Sequence, residues 1–169
     1  GRDADGGFRF THADAPRLTG PQQEAMALIE EIANDPAFHV ARDFRPGDVQ
    51  RMSAGTGVFH SEFNPSKTHP VRLLQIWIMP ERKGLTPEYE QKSFPVSGTG
   101  VTLLVSPSGD SGSVRVHQDV SLYRAVVSRG ERATVKLARP YGYVQVTAGE
   151  LKIGDKTLTD GDGAEITGV

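Results

Sequence analysis

The sequence predicts a mainly β protein made of short strands and tight turns. Three observations predict it. The chain of 169 residues holds 19 glycines and 11 prolines, a density of turn residues that suits many short strands. The nearly continuous apolar run at 71–79 is rich in β-forming residues and too short for most helices. Finally, Asp160-Gly161-Asp162-Gly163-Ala164-Glu165-Ile166 echoes Pro46-Gly47-Asp48-Val49-Gln50. A repeated turn that leads into a strand fits two related β barrels, the second complete and the first cut short.

Composition narrows the function classes. Apolar residues make up 37% and the net charge is −2, with both signs mixed. No basic patch marks a nucleic-acid footprint. With no cysteine, disulfide and thiolate chemistry are excluded. No apolar run approaches the roughly 20 residues that span a bilayer. The polar opening Gly1-Arg2-Asp3-Ala4-Asp5-Gly6-Gly7 reads as a frayed tail or a cloning remnant rather than a signal peptide. These readings lead to an expectation of a cytoplasmic protein with no nucleic-acid or membrane partner.

Taken in order, the elements justify themselves as follows. Phe8-Arg9-Phe10 could form a short strand. One helix is expected next, with Thr19 as N-cap, Gln22 completing a capping box and Pro21 in the first turn. Ala25, Leu28, Ile29 and Ile32 form its apolar stripe, and Asn34-Asp35-Pro36 ends it. Residues 38–44 and 49–52 flank the Pro46-Gly47-Asp48 turn and read as a hairpin. Residues 71–79 read as a buried strand with Trp77 in the core, ended by Pro80. Residues 81–94 are rich in charge, Gly and Pro, and read as a surface connection. Strands then follow at 101–106, 114–117, 121–127, 133–137, 143–148, 151–153 and 163–166, with turns at Gly109, Gly130, Gly149 and Gly154.

Three motifs carry a family likeness. RPGDVQRMSAGTGVFHSEFNPS at 45–66, LLQIWIMPERKGLTPEYEQ at 73–91 and VHQDVSLY at 116–123 together resemble the pirin family of bicupins, over about residues 45–169. The resemblance implies a cupin fold, a double-stranded β-helix or jelly-roll-type barrel. It implies a partial N-terminal barrel at 1–94 covered by the helix, and a complete C-terminal barrel at 95–169. In that family Tyr89, Glu90 and Gln91 belong to the linker between barrels. The segment APRLTGPQQEAMALIEEIANDPAFHV followed by DFRPGDVQ, within about 14–50, instead resembles a piece of the taurine dioxygenase-like iron and 2-oxoglutarate oxygenases. Two families joined at a shared turn imply a chimera with its seam near 42–50; a gene-model error or a natural truncation is the competing explanation.

The candidate site is His60-Ser61-Glu62. On a strand, residues two apart share a face, so His60 and Glu62 would present an imidazole and a carboxylate together, half of a site for a first-row metal ion. In the pirin family one iron is held by three histidines and one glutamate, and His60 and Glu62 match the second His and Glu of that set. The other two ligands lie in a His-x-His motif, which this chain lacks. The His-x-Asp iron motif of the oxygenase family is likewise missing upstream. Ahead of His60 stand only His12, without context, and His39, a conceivable substitute ligand. His117-Gln118-Asp119 is a second same-face pair, read as a satisfied structural contact. His69, before Pro70, reads as a loop residue.

Two functions follow as expectations. The first is a chimeric or engineered scaffold with no catalytic activity and no cofactor, because half the metal site is missing. The alternative is a pirin-like iron-dependent dioxygenase acting on quercetin-type flavonols, with Fe(II) or another divalent ion at His60 and Glu62. An interaction module of the kind found among nuclear pirins is a weaker third. A truncated barrel leaves strand edges open, so either the helix covers them or two chains form a homodimer.

Overall fold

The computed structural model describes residues 45–57, 64 and 66–167. Its strands are β1 (Asp48–Ser53), β2 (Glu88–Ser93), β3 (Gly100–Ser106), β4 (Val114–Arg115), β5 (Leu122–Val126), β6 (Tyr141–Gln145), β7 (Glu150–Ile153), β8 (Lys156–Thr159) and β9 (Gly163–Thr167). A single 3-10 turn, Asp110–Gly112, is the helical element among the described residues. The mainly β expectation holds. The expected helix, the strand at 38–44 and the N-terminal barrel's cover lie outside the described residues. No helix among those described is long and apolar enough to cross a membrane.

The chain divides into two compact units. In the first, the described residues to Gly98 join Thr102–Arg124; the second takes Thr99–Val101 and 125–167. The sheets are small: β1 pairs β2, β4-β3-β5 form three strands, β6 pairs β9, and β7 pairs β8.

The core of the first unit is a valine cluster. Val114 is fully buried, with Val105 and Val116 beside it. Val49, Ile78, Phe94, Leu104, Val120 and Leu122 pack around them. Beneath the cluster, Ser106 and Ser113 are buried polar groups that satisfy each other, with 2.8 Å between hydroxyls. Ser106 Oγ also accepts the N–H groups of Gly109 and Asp110. Buried hydroxyls thus find partners, as burial requires.

In the second unit, β6 and β9 alternate. Gly142, Val144, Ala164 and Ile166 are half-buried, while Tyr141, Tyr143 and Glu165 face solvent. Leu137 lies over Gly142, where a Cβ would come within 3.1 Å of it. Residues 133–137 form no strand, contrary to expectation; Leu137 packs by contact and the segment gains no ladder among the described residues. β8 was not foreseen, because Leu158 is its one apolar side chain. It forms as the return arm of a hairpin in which Leu151 faces Leu158 and Gly154 turns the chain at φ 59°.

Two further expectations are corrected. Residues 71–79 are not a buried strand: they join no ladder among the described residues, and Trp77 is 89% exposed. Apolar β formers make a buried strand only where a neighbouring strand receives them, and here only Ile78 reaches the core. The connection at 81–94 is not irregular throughout, since it contains β2. β1 pairs antiparallel with β2, Asp48 opposite Ser93 and Ser53 opposite Glu88.

The echoed turns prove to be the same structure. Asp48 N–H donates to the Arg45 carbonyl at 2.9 Å, and Asp162 N–H donates to Thr159 O at the same distance. Each Asp carboxylate also accepts the N–H at the start of its turn, from Arg45 at 2.9 Å and from Thr159 at 2.7 Å. Gly47 and Gly161 have φ of 94° and 90°, the value a type II turn demands at its third residue.

The two glycines differ in what surrounds them. A Cβ on Gly47 would sit 2.3 Å from the Phe94 carbonyl oxygen and 2.7 Å from Val96 Cγ1, whereas one on Gly161 would meet nothing within 4 Å. Gly161→Ala should therefore show backbone strain alone, about 1 kcal/mol, and Gly47→Ala strain plus a clash, about 3 kcal/mol. Urea unfolding of both variants checks this; equal losses would contradict it.

Candidate functional site

The strand that leads towards His60 is β1, and its position is set by charge. Along the β1–β2 ribbon, Val49, Arg51 and Ser53 lie opposite Lys92, Glu90 and Glu88 and share one face. Arg51 Nη1 donates to Glu88 Oε2 at 3.0 Å and to Ser53 Oγ at 2.9 Å. Its Nη2 donates to Glu90 Oε2 at 3.3 Å. Lys92 Nζ lies 2.9 Å from Glu90 Oε1 and donates to the Ser113 carbonyl at 2.6 Å. Glu90 Oε2 also accepts the Arg115 N–H at 3.1 Å. One carboxylate therefore joins β1, β2 and β4.

The opposite face of the ribbon is neutral apart from Asp48. Asp48 accepts from Ser93 Oγ at 2.5 Å and Gln91 Nε2 at 3.0 Å. Tyr89 OH donates to Gln91 Oε1 at 2.6 Å and lies 3.2 Å from Gln50 Oε1.

His117 closes the charged face. Its Nε2 lies 3.4 Å from Glu88 Oε2, and its side chain is 13% exposed. The expectation of a satisfied structural imidazole holds, but its carboxylate is Glu88, not the anticipated Asp119. The reason is local: β4 ends at Arg115, so 117 and 119 are not on a strand. The same segment grips the end of the apolar run. Glu81 N–H donates to His117 O at 2.8 Å, and Gln118 Nε2 to Met79 O at 2.9 Å. His69 is a loop residue as expected, with Nδ1 2.9 Å from Thr68 Oγ1.

His60, Glu62, His39 and His12 lie outside the described residues. Among those described, no group of three or more His, Cys, Asp or Glu is placed to hold a metal ion. Arg51, Glu88, Glu90 and Lys92 were missed as a set by sequence reasoning. The one signal was the alternation Glu88-x-Glu90-x-Lys92, which looks like a solvated connection until the register with Arg51 is known.

Electrostatics follow from these contacts. Hydrogen bonds from Arg51 and His117 hold the Glu88 carboxyl below its ordinary range. Burial pushes Glu90 up, but bonds from Lys92, the Arg115 N–H and Arg51 together outweigh it and the net shift is downward. Ser93 and the Arg45 N–H lower Asp48. Groups whose folded pKa is depressed stabilise the fold above their unfolded values, about 4 to 4.5, and lose that contribution as pH falls through the lower folded values.

Comparison with known proteins places the chain. The family description "Pirin" matches residues 39–78, and "Quercetinase C-terminal cupin domain" matches residues 103–169. A protein of Escherichia coli K12 named quercetin 2,3-dioxygenase is 43% identical over 71% of this chain and 52% of its own length. A "Putative quercetin 2,3-dioxygenase" of Pasteurella multocida is 44% identical over 92% of this chain and 65% of its own. One so named from Zymomonas mobilis is 38% identical over 98% of this chain and 69% of its own. The crystal structure of YhhW from Escherichia coli superposes with a TM-score of 0.67 at 43% identity, covering 72% of this chain and 52% of that one. A second structure is that of bacterial pirin YhhW in complex with nickel(II), with a TM-score of 0.66 and the same identity and coverage. The cupin fold expected from the sequence is thereby established. The chain spans between about half and two thirds of the length of these relatives.

These findings overturn the expectation of an inactive chimeric scaffold. Residues 39–78 match one family across the supposed seam at 42–50, and two relatives align over more than nine tenths of the chain. None of the matches named here is to a 2-oxoglutarate oxygenase. The local likeness rested on a sequence pattern, capping residues and an apolar stripe ahead of a Pro-Gly-Asp turn, that follows from general helix and turn chemistry and is not specific to one family.

Acid should test the charged ladder. Unfolding free energy should be highest near neutral pH and fall as pH drops from about 5 towards 2. Arg51→Met, which removes the cation shared by Glu88 and Glu90, should flatten that fall, as measured by urea titrations at several pH values. An unchanged slope would show that the ladder contributes nothing.

Proposed function

The chain belongs to the pirin family, and from that premise we propose that it is a metal-dependent dioxygenase acting on quercetin-type flavonols. The observation that carries the reading is the 43% identity to the Escherichia coli protein named quercetin 2,3-dioxygenase.

In this reading His60 and Glu62 hold the metal. They fit a first-row ion in kind, one imidazole nitrogen and one carboxylate oxygen. Nickel(II) in the structure of bacterial pirin YhhW supports a metal of that class. Because the described residues bring no third ligand, further donors come from elsewhere, and His39 is the nearest histidine ahead of His60 in sequence. When bound, such an ion supplies Lewis-acid chemistry to a flavonol oxygen and makes reaction with dioxygen accessible.

The described residues have a positioning task. β1 ends at Ser53 and the chain continues towards His60. The Arg51–Glu90 and Arg51–Glu88 pairs fix the register of β1, and so fix where the chain sets out. Metal ligands lose much of their affinity when the structure that orients them is loosened, commonly by ~10–100-fold.

The test is metal retention together with chemistry. After loading with nickel(II) or iron(II) and removal of excess, the protein should keep bound metal by elemental analysis and consume dioxygen when given quercetin. His60→Ala should lower both by about 100-fold or more. Retention of no metal, or uptake in His60→Ala equal to that of the parent, would overturn the reading.

A further inference from the structure

Both residues assigned to the metal, His60 and Glu62, fall within 58–63, and the chain is tied down on each side of that stretch. On the near side it leaves β1 through a turn, in which Gly57 N–H donates to the Ala54 carbonyl at 2.7 Å. Gly55 sits at φ 55°, and a Cβ there would lie 2.2 Å from the Leu85 carbonyl oxygen and 2.8 Å from Pro87 N. The turn therefore lies backbone against backbone on the chain that returns to β2, an approach that glycine permits. Leu85 is the one buried residue among those described between β1 and β2.

On the far side a second turn begins two residues beyond Glu62. Asn64 Oδ1 accepts the Ser66 N–H at 3.1 Å, and Asn64 Nδ2 donates to the His69 carbonyl at 2.6 Å. Ser66 Oγ accepts the N–H groups of His69 at 2.8 Å and of Thr68 at 3.3 Å. An Asn side chain that bonds the backbone two residues on is a turn former in its own right. Here the same amide also reaches His69, so one side chain holds both ends of residues 64–69.

These bonds are exposed to water. Water competes for each of them, so their contribution to global stability is modest. Their placement matters more. Two donors on a short stretch bind an ion well only when they are already arranged, because otherwise the ion must order the stretch itself. Resting on the metal reading above, we propose that Asn64 and Ser66 are positioning residues for the metal. Their turn, with Gly55 seated on Leu85 and Pro87, holds both ends of 58–63 and arranges His60 and Glu62 before an ion arrives. Asn64 and Ser66 act through those two residues and coordinate nothing themselves.

The test separates affinity from stability. Nickel(II) is titrated into the metal-free chain, urea unfolding is measured without metal, and hydrogen exchange is followed over 58–69. Asn64→Ala should weaken nickel binding by about 10- to 100-fold, the range met when the support of a metal ligand is lost. Its urea midpoint should stay close to that of the parent, while exchange over 58–69 quickens. Asn64→Asp keeps the oxygen that receives the Ser66 N–H and loses the donor to His69, so its loss of affinity should be smaller. Ser66→Ala removes the acceptor for His69 and Thr68 and should weaken binding about tenfold. Gly161→Ala introduces backbone strain in the second unit and should leave nickel affinity unchanged. Asn64 is preferred to Gly55 as the target because the Gly55 contact is between backbones, and its loss would disturb the fold itself. Should Asn64→Ala fail to fold, Ser66→Ala and Asn64→Asp decide the matter.

Nickel affinities in the Asn64 and Ser66 variants equal to that of the parent would overturn the proposal and leave the metal reading standing. A loss shared equally by Gly161→Ala would also overturn it, since general stability would then be the cause. A parent that binds no nickel, or binds it as well after His60→Ala, would overturn the metal reading and this proposal with it.

Discussion

Glu90 ties the first unit together. Its carboxylate receives Arg51 from β1, Lys92 from its own strand and the backbone N–H of Arg115 in β4. Isolated exposed ion pairs contribute little, about 0–1 kcal/mol each. This one is partly buried, with 25% of the Glu90 side chain exposed, and it serves three strands at once. The segment Glu-Tyr-Glu-Gln-Lys-Ser has no apolar alternation that would make it a strand alone. It is a strand because Arg51 lies opposite Glu90 in the ladder and the other face is filled by hydroxyl and amide contacts around Asp48. The same pairing fixes β1, and β1 leads towards the residues assigned to metal binding.

That dependence explains which parts of the fold were legible in the sequence. Turns are local events, so the Pro46-Gly47-Asp48 turn and its echo at Asp160-Gly161-Asp162 could be read directly, as could β1, β3, β5, β7 and β9. Strands held by cross-strand charge could not, because Glu88, Glu90 and Lys92 look like a solvated loop until their register with Arg51 is known. β8 escaped for a related reason, since Leu158 becomes informative only when Leu151 stands opposite. The error at 71–79 ran the other way. Apolar β formers promised a buried strand, but burial depends on a neighbour, which sequence periodicity does not contain.

The candidate site was legible unevenly. His60 and Glu62 were picked out by the spacing of donors and by resemblance, and they lie outside the described residues. His117 was correctly read as satisfied, although its partner came from a strand that had not been foreseen. The reading of the chain as two joined families failed because it weighed a short helix-like sequence pattern and a turn as evidence of descent. Those features are physical commonplaces. The match across the supposed junction carries more information.

The pairing of Arg51 with Glu88 joins residues 37 apart in sequence, and the apolar run lies inside the loop so closed. Loop closure must be accomplished before a distant ladder rewards it. The hairpin of β7 and β8, closed by two residues, has no such delay. On a ribosome the order is sharper still, for β1 and the run emerge before β2 exists to pair with. The nascent chain therefore carries its most adhesive stretch uncovered for an interval set by translation, which makes early chaperone capture or misassembly the characteristic hazard of this topology.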